Sequence, residues 1–357
     1  MRHKGLIIFT IVASGFFIFQ SIWKSQEHAS TDGANFTVWS GPTMGTSYSV
    51  KLAGRIDSES QHALKEACEE ALKKVNMLMS TYIPESELSR FNSSRSQDWF
   101  DVSPETLKVV KSGLQIGELS EGAFDIAIGP LVNLWGFGPT ARPIKIPEKN
   151  EISKILEFSR YTLLSTRDQP PALKKSKPLT YVDLSGIAKG YGVDVLAELL
   201  ISRGYPNFMV EIGGEIRTSG GKNGSPWEIA VERPSEKSFG RSVFRVVELG
   251  SAAIATSGDY RIYYEEDGKR YSHIIDPRTG YPIKHKVASV TVISSESMLA
   301  DAWATAFSVM DEVKVKEIAQ SLKLPVYLIE KQGNEFVEWY SEDFATYLKY
   351  SPDQPRS

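Results

Sequence analysis

A mixed α/β body, either α+β or α/β in its layering, is what this sequence predicts, and three observations carry that prediction. Short runs rich in β-branched and aromatic residues alternate with helical ones, four stretches pair helical spacing with matching start and stop residues, and no internal repeat is visible. With 41% hydrophobic and 24% charged residues over 357 positions, the chain can bury a large core, as one big domain or two intimate ones.

The expected strands are 36–40, 47–52, 161–164, 181–184, 208–212, 227–232, 287–293 and 326–329. The first expected helix carries Ala63, Leu64, Ala67, Ala71, Leu72, Val75 and Leu78 as its apolar stripe. The second opens with Ser103 as N-cap and Pro104 in the first helical position, and stops before Gly122. The third follows the Ser185-Gly186 turn and ends at Arg203, with Gly204 as a left-handed cap. The fourth runs from about Glu296 to Met310. This pattern leaves the strand order open.

Only the N-terminus departs from globular composition. Arg2, His3 and Lys4 precede an uncharged apolar run from Gly5 to Phe19, which Ile22 and Trp23 extend before Lys24. Charge followed by an apolar run is the order of an export signal. Neither a small-x-small cleavage site nor a lipid-accepting Cys stands near it, so residues 1–23 are expected to be an uncleaved anchor, with Lys24 to Asn35 as a polar tether. The basic flank would stay cytoplasmic and the body, 36–348 followed by a polar tail at 349–357, would face the periplasm.

Composition also excludes function classes. A net charge of -3 with no later Lys/Arg block argues against a nucleic-acid partner. Cys68 is the single cysteine and reads as a small buried apolar residue, so disulfides, thiolate zinc sites and dithiol redox chemistry within one chain are excluded.

Three clusters carry candidate chemistry. In the run from Met298 to Phe307, apolar residues surround Asp301 and Thr305, whose i, i+4 spacing puts both on one helix face. A buried carboxylate is costly without a cation or a dense set of donors. Carboxylate and hydroxyl oxygens suit a hard ion such as Mg2+, and donors from a neighbouring loop would serve equally. The run from Tyr181 to Gly192 reads as a strand, a tight turn and a helix N-terminus, where Lys189 could reach a phosphate. Its spacing is not that of a Walker loop, and the chain has no G-x-G-x-x-G. In the run from Ser272 to Gly280, Asp276-Pro277 opens a turn that Gly280 closes beside His273, a side chain suited to moving a proton near neutral pH. Each cluster, taken singly, also fits a plain structural role.

Together the segments resemble the ApbE family, the FAD:protein FMN transferases, over about 36–348. Six separated motifs stand in the family's order: Gly41-Pro42-Thr43-Met44-Gly45-Thr46, Ser80-Thr81-Tyr82, Gly122-Ala123-Phe124-Asp125, Asp183-Leu184-Ser185-Gly186-Ile187-Ala188-Lys189-Gly190, His273-Ile274-Ile275-Asp276-Pro277 and Asp301-Ala302-Trp303-Ala304-Thr305. The resemblance implies a body related to the T-fold, with a flavin cleft between two halves. It implies FAD contacts from Met44, Tyr82, Ala123, Phe124, Asp125, Asp183, Lys189 and Ile275, and Mg2+ held by Asp301, Thr305 and the Gly186 carbonyl. His273 is the expected base, and a Ser or Thr of an acceptor protein, by family analogy a membrane redox subunit, is the expected target. FAD hydrolysis to FMN and AMP, or flavin binding alone in the envelope, are the alternatives. Many relatives resemble lipoproteins with an N-terminal Cys, which this chain lacks.

Overall fold

The computed structural model describes residues 36–138, 146–222, 224–232, 243–258, 263–266, 269–333 and 335–349. The expected anchor at 1–23, the tether at 24–35 and nearly all of the polar tail lie outside the described residues. Among the described residues no helix is long and apolar enough to cross a membrane.

The chain opens with a hairpin of β1 (Phe36–Thr43) and β2 (Thr46–Ala53), then α1 (Ser58–Met79), α2 (Glu87–Ser93), β3 (Phe100–Asp101) and α3 (Pro104–Leu119). Short helices α4 (Gly129–Leu134) and α5 (Lys149–Leu156) precede β4 (Leu164–Arg167), β5 (Ala172–Lys175) and the long α6 (Ala188–Ser202). Strands β6 (Phe208–Ile212), β7 (Glu215–Ser219), β8 (Trp227–Glu232), β9 (Val243–Leu249) and β10 (Ala252–Gly258) come next. Hairpins β11 (Tyr263–Glu266) with β12 (Lys269–Ser272), and β13 (Ile275–Asp276) with β14 (Tyr281–Pro282), lead to β15 (Val287–Ser294). The chain then forms α7 (Ser297–Val309), α8 (Glu312–Ser321), β16 (Val326–Gln332), β17 (Glu335–Tyr340) and α9 (Glu342–Ala345).

Eight strands form one sheet in the order β1-β2-β6-β7-β10-β15-β16-β17, and every neighbouring pair is antiparallel. The body is therefore α+β in its layering. Alternation along β16 sends Val326 and Leu328 into the core shared with α7, and Tyr327 and Ile329 into a second core that the β8-β9 hairpin and Phe344 close. Both faces of the central strands are thus covered, which is why the first seven residues of β15 are all buried, Ser289 and Thr291 included. A register shift between Val287 and Ser289 lets Val287, Val290 and Val292 share one core despite their mixed spacing.

Six of the eight expected strands form, with ends moved by a few residues. Two do not. Tyr161–Leu163 is a turn of 3-10 helix, because the Tyr161 N–H donates to Asp125 and the Leu163 N–H to the Arg160 carbonyl instead of to a ladder. Segment 181–184 is extended but joins no sheet. The Asn92 side-chain amide takes both backbone groups of Val182, accepting at 2.7 Å and donating at 2.8 Å, and the Asp183 N–H goes to the Ile126 carbonyl at 2.7 Å. All four expected helices are present. The buried stripe of α1 is Leu64, Cys68, Leu72, Val75 and Met79, rotated from the expected one, so that Ala63 faces solvent.

Candidate active site

The site is assembled where α6 and α7 cross. Gly190 in the first turn of α6 lies against the start of α7, so closely that a Cβ there would sit 2.3 Å from the Ser297 carbonyl oxygen. That approach lets the Gly190 N–H donate to Asp301 Oδ2 at 3.0 Å. Asp301 is 2% exposed, and the Lys189 ammonium stands 3.7 Å from its other oxygen. Burial lifts the Asp301 carboxyl above the usual carboxylate range, against the pull of Lys189 and the Gly190 N–H.

One turn along α7, Thr305 packs on the Gly186 turn. A Cβ at Gly186 would be 3.1 Å from the Thr305 methyl, 3.2 Å from the Phe124 ring edge and 3.3 Å from the Thr305 hydroxyl. Asp301 and Thr305, which the sequence offered as oxygen donors, therefore both face the 186–190 turn, whose Gly186 carbonyl only the family resemblance implied, although 115 residues separate Gly186 from Asp301 in the chain numbering.

Glu215, at the start of β7, completes this group. Its Oε1 accepts from the Lys189 ammonium at 2.5 Å, and it is 4% exposed. Burial raises the Glu215 carboxyl. For Lys189 burial acts to lower the pKa, but the Asp301 and Glu215 charges outweigh it and hold the ammonium above the usual lysine value. Lys189 is thus firmly charged.

Met44 reaches the same helix from the other side. Thr43 and Thr46 pair directly, so Met44 and Gly45 form a two-residue hairpin loop with φ of 48° and 72°. Positive φ at both positions is the I′ geometry that matches the strand twist, and a methionine at the first is strained. The Met44 side chain ends 3.1 Å from where a Gly192 Cβ would be, which places it over the first turns of α6.

The Gly122-Ala123-Phe124-Asp125 turn bridges to the remaining residues. Ala123 and Phe124 are buried in the main core. Both Asp125 oxygens are occupied, by the Ala127 N–H at 2.7 Å and the Tyr161 N–H at 2.9 Å, and burial pushes its carboxyl up to about 7 despite those donors. Asp183 accepts from the Ser185 N–H at 2.8 Å, fixing the bend that leads to Gly186. Tyr82 is 67% exposed beside it; partial burial and then the Asp183 charge raise its hydroxyl pKa.

His273 and Ile275 form a separate local group. Ile275 is buried with Leu131, Trp135 and Ile152, and the turn after it is held by the Trp135 indole N–H donating to the Gly280 carbonyl at 2.8 Å. His273, just past β12, meets the Phe137 ring edge-on at 6.3 Å. This group touches the bridge through Arg278, whose Cγ is 3.7 Å from the Cβ position of Gly122. A groove of about 810 Å³ lined by Leu107, Lys111, Tyr161 and Pro171 lies along α3 and contains none of these site residues.

Comparison with known proteins identifies the family and the fold. The model of the ApbE family matches residues 44–328. The chain belongs to the ApbE family. It is 47% identical over 310 residues to the FAD:protein FMN transferase of Vibrio cholerae, covering 87% of this chain and 92% of that one. The Escherichia coli K12 FAD:protein FMN transferase is 39% identical over 328 residues, with 91% and 93% covered. Among solved structures, the flavin transferase ApbE of Vibrio cholerae superposes with a TM-score of 0.80 at 45% identity, over 88% of this chain and all of that one. The apo flavinyl transferase ApbE of Pseudomonas stutzeri gives 0.81 at 33% identity, over 90% and 99%. The fold seen here is thus the ApbE fold.

Sequence reasoning missed four residues that shape this site. Glu215, Asp194, Asn92 and Lys175 all act on atoms distant in the chain. The Asp194 carboxylate accepts from the Ser297 and Met298 N–H groups at 2.9 and 2.8 Å, and so caps α7 where the Glu296 side chain does not. Lys175 is 1% exposed and donates to the Phe91, Asn92 and Thr180 carbonyls. A signal for Glu215 was present: an acid between Ile212 and Ile216, directly after Gly213-Gly214.

Proposed function

We infer that this chain is a Mg2+-dependent FAD:protein FMN transferase. A Ser or Thr hydroxyl of an acceptor protein attacks the phosphorus on the FMN side of the FAD pyrophosphate, a phosphoester forms, and AMP leaves with the bridging oxygen. The observation that carries this reading is the meeting of the Asp301 carboxylate, the Thr305 hydroxyl and the Gly186 turn beside a charged lysine.

These residues fit Mg2+. The donor set is all oxygen, one carboxylate with a hydroxyl and a carbonyl, which leaves positions for water and phosphate oxygens. A side chain at Gly186 would crowd the Thr305 hydroxyl, so the bare backbone keeps that oxygen accessible. The bound ion would supply charge neutralisation at the pyrophosphate.

The chain's own residues do the rest. Lys189, fixed by Glu215, presents a positive charge to the phosphates at the N-terminal turn of α6. Met44 and Tyr82 offer apolar and aromatic surface to the flavin ring, while the Ala123-Phe124-Asp125 turn, Asp183 and the Ile275 backbone line the remaining contacts. His273 accepts the proton of the attacking hydroxyl, a role that supplies ~10^2 to 10^4 in rate. The order of basic and apolar residues in 2–23 supports placement on the periplasmic side of the inner membrane, anchored at the N-terminus, with a membrane redox subunit as acceptor.

The test is Asp301→Ala, incubated with FAD, Mg2+ and a co-expressed acceptor. Mass spectrometry should find no FMN adduct on the acceptor while circular dichroism shows the variant still folded at the assay temperature, although losing the Gly190 and Lys189 contacts lowers its unfolding midpoint. Labelling at the normal rate would overturn the assignment, and rapid AMP release from wild type without acceptor would favour hydrolysis.

A further inference from the structure

The Lys189 ammonium has two buried carboxylates within reach and sits unequally between them, 2.5 Å from Glu215 Oε1 and 3.7 Å from Asp301 Oδ1. Glu215 is fixed on β7, immediately after a turn in which Gly213 and Gly214 both have positive φ, 61° and 110°. The Cβ position of Gly213 is 3.3 Å from the lysine stem and 3.6 Å from Glu215 Oε2, so this turn holds the lysine and the glutamate side by side. Glu211, also facing the ammonium, spends its Oε1 on the Gly214 N–H at 2.7 Å and keeps the turn closed. Among the described residues, buried Glu215 Oε2 has no hydrogen-bond partner. An acid held dry with one oxygen unmatched is expensive, and Lys189 gives its charge a use.

We infer that Glu215 is a positioning residue that draws the Lys189 ammonium off Asp301, leaving that carboxylate open to a divalent cation. This deepens the metal reading above and rests on it. Without the Glu215 charge, Asp301 becomes the nearest anion to Lys189, and the ammonium tightens the existing 3.7 Å ion pair to hydrogen-bond distance. It then competes for the oxygen that the cation needs, and a cation that does bind meets an uncompensated positive charge at short range. Glu215 prevents both. It touches neither substrate nor metal and acts entirely through Lys189.

The experiment is Mn2+ binding to the full chain, read from loss of the free-ion EPR signal, with Mn2+ alone and again with ADP as a pyrophosphate that cannot transfer flavin. Glu215→Gln should weaken Mn2+ binding about tenfold, within the range of direct side-chain couplings. Glu215→Asp should recover part of it. In a Lys189→Met background the Glu215→Gln change should have little effect, because the competing ammonium is gone. Wild-type affinity in Glu215→Gln overturns the inference, as does an equal loss with and without Lys189, which would mark a purely structural role. Failure of the metal reading looks different: wild type then shows no saturable Mn2+ binding that Asp301→Ala removes.

Discussion

Replacing Gly190 by alanine tests the contact on which the whole site depends. The added Cβ would lie 2.3 Å from the Ser297 carbonyl oxygen, 2.6 Å from the Ser297 carbonyl carbon and 2.7 Å from the Met298 Cα. A carbon needs roughly 3.3 Å from a carbonyl oxygen, so about 1 Å of overlap must be relieved by moving one helix. No rotamer change helps, since every atom met is backbone. Overpacking of this kind costs ~1–3 kcal/mol. Separation of the helices also stretches the Gly190 N–H bond to Asp301, and hydrogen bonds to charged groups contribute ~1.5–3 kcal/mol. Alanine's better helix propensity returns only ~1 kcal/mol. The net expectation is a loss of about 3 kcal/mol, or about 4 °C in Tm for a chain of this size. Gly192→Ala is the matched control on the same helix. Its Cβ would meet only the Ile212 Cδ1 and Met44 Cε ends at 3.1 Å, both flexible, so propensity and packing nearly cancel. Urea unfolding of the two variants reads the difference. Equal stability of Gly190→Ala and Gly192→Ala would refute the account of how α6 and α7 are joined.

Asp125 sets a pH dependence. Its folded carboxyl is raised to about 7 from 3.8, so between those values the unfolded chain has released a proton that the folded chain still holds. Stability from this group is full below pH 3.8 and falls as pH rises to about 7, by up to about 4 kcal/mol at 1.36 kcal/mol per pH unit. In urea melts the gap between Asp125→Asn and wild type should therefore shift in favour of the variant across that window; a gap independent of pH would refute it. Asn92→Leu should cost about 2–5 kcal/mol in the same assay, because it strands the buried N–H and carbonyl of Val182. It should also expose the 181–187 segment to proteolysis, and unchanged protease resistance would show that another contact holds that segment.

The limits of sequence reading here have a common physical origin. Periodicity and caps located α1, α3, α6 and α7 because those signals are local: Pro104 after Ser103, Gly204 after Arg203, and polar Asp301 and Thr305 in an otherwise apolar run. The failures arise where a side chain stands in for a ladder or a cap. Segment 181–184 has strand composition, yet its hydrogen bonds run to the Asn92 amide and the Ile126 carbonyl, so no strand pairs with it. Segment 161–164 fails likewise, since the Tyr161 N–H serves Asp125.

The same distinction separates the site residues that were legible from those that were not. Asp301 stood out because a carboxylate amid apolar neighbours on one helix is anomalous in one dimension. Asp194 is equally buried work for a carboxylate, but it lies on α6 and serves the end of α7, which has no cap of its own. Arg217 on β7 then balances the Asp194 charge at 2.9 Å, and Glu215, two residues earlier on that strand, balances Lys189. Strand β7 thus places a cation and an anion on the α6-α7 crossing, each matched to a charge of opposite sign on α6. Without that strand Asp194 would lose its cationic partner, and Lys189 would be left with Asp301 as its counter-charge. The crossing that makes the site is therefore charge-matched by an element whose sequence, Glu215-Ile216-Arg217, reads by itself as an ordinary alternating strand.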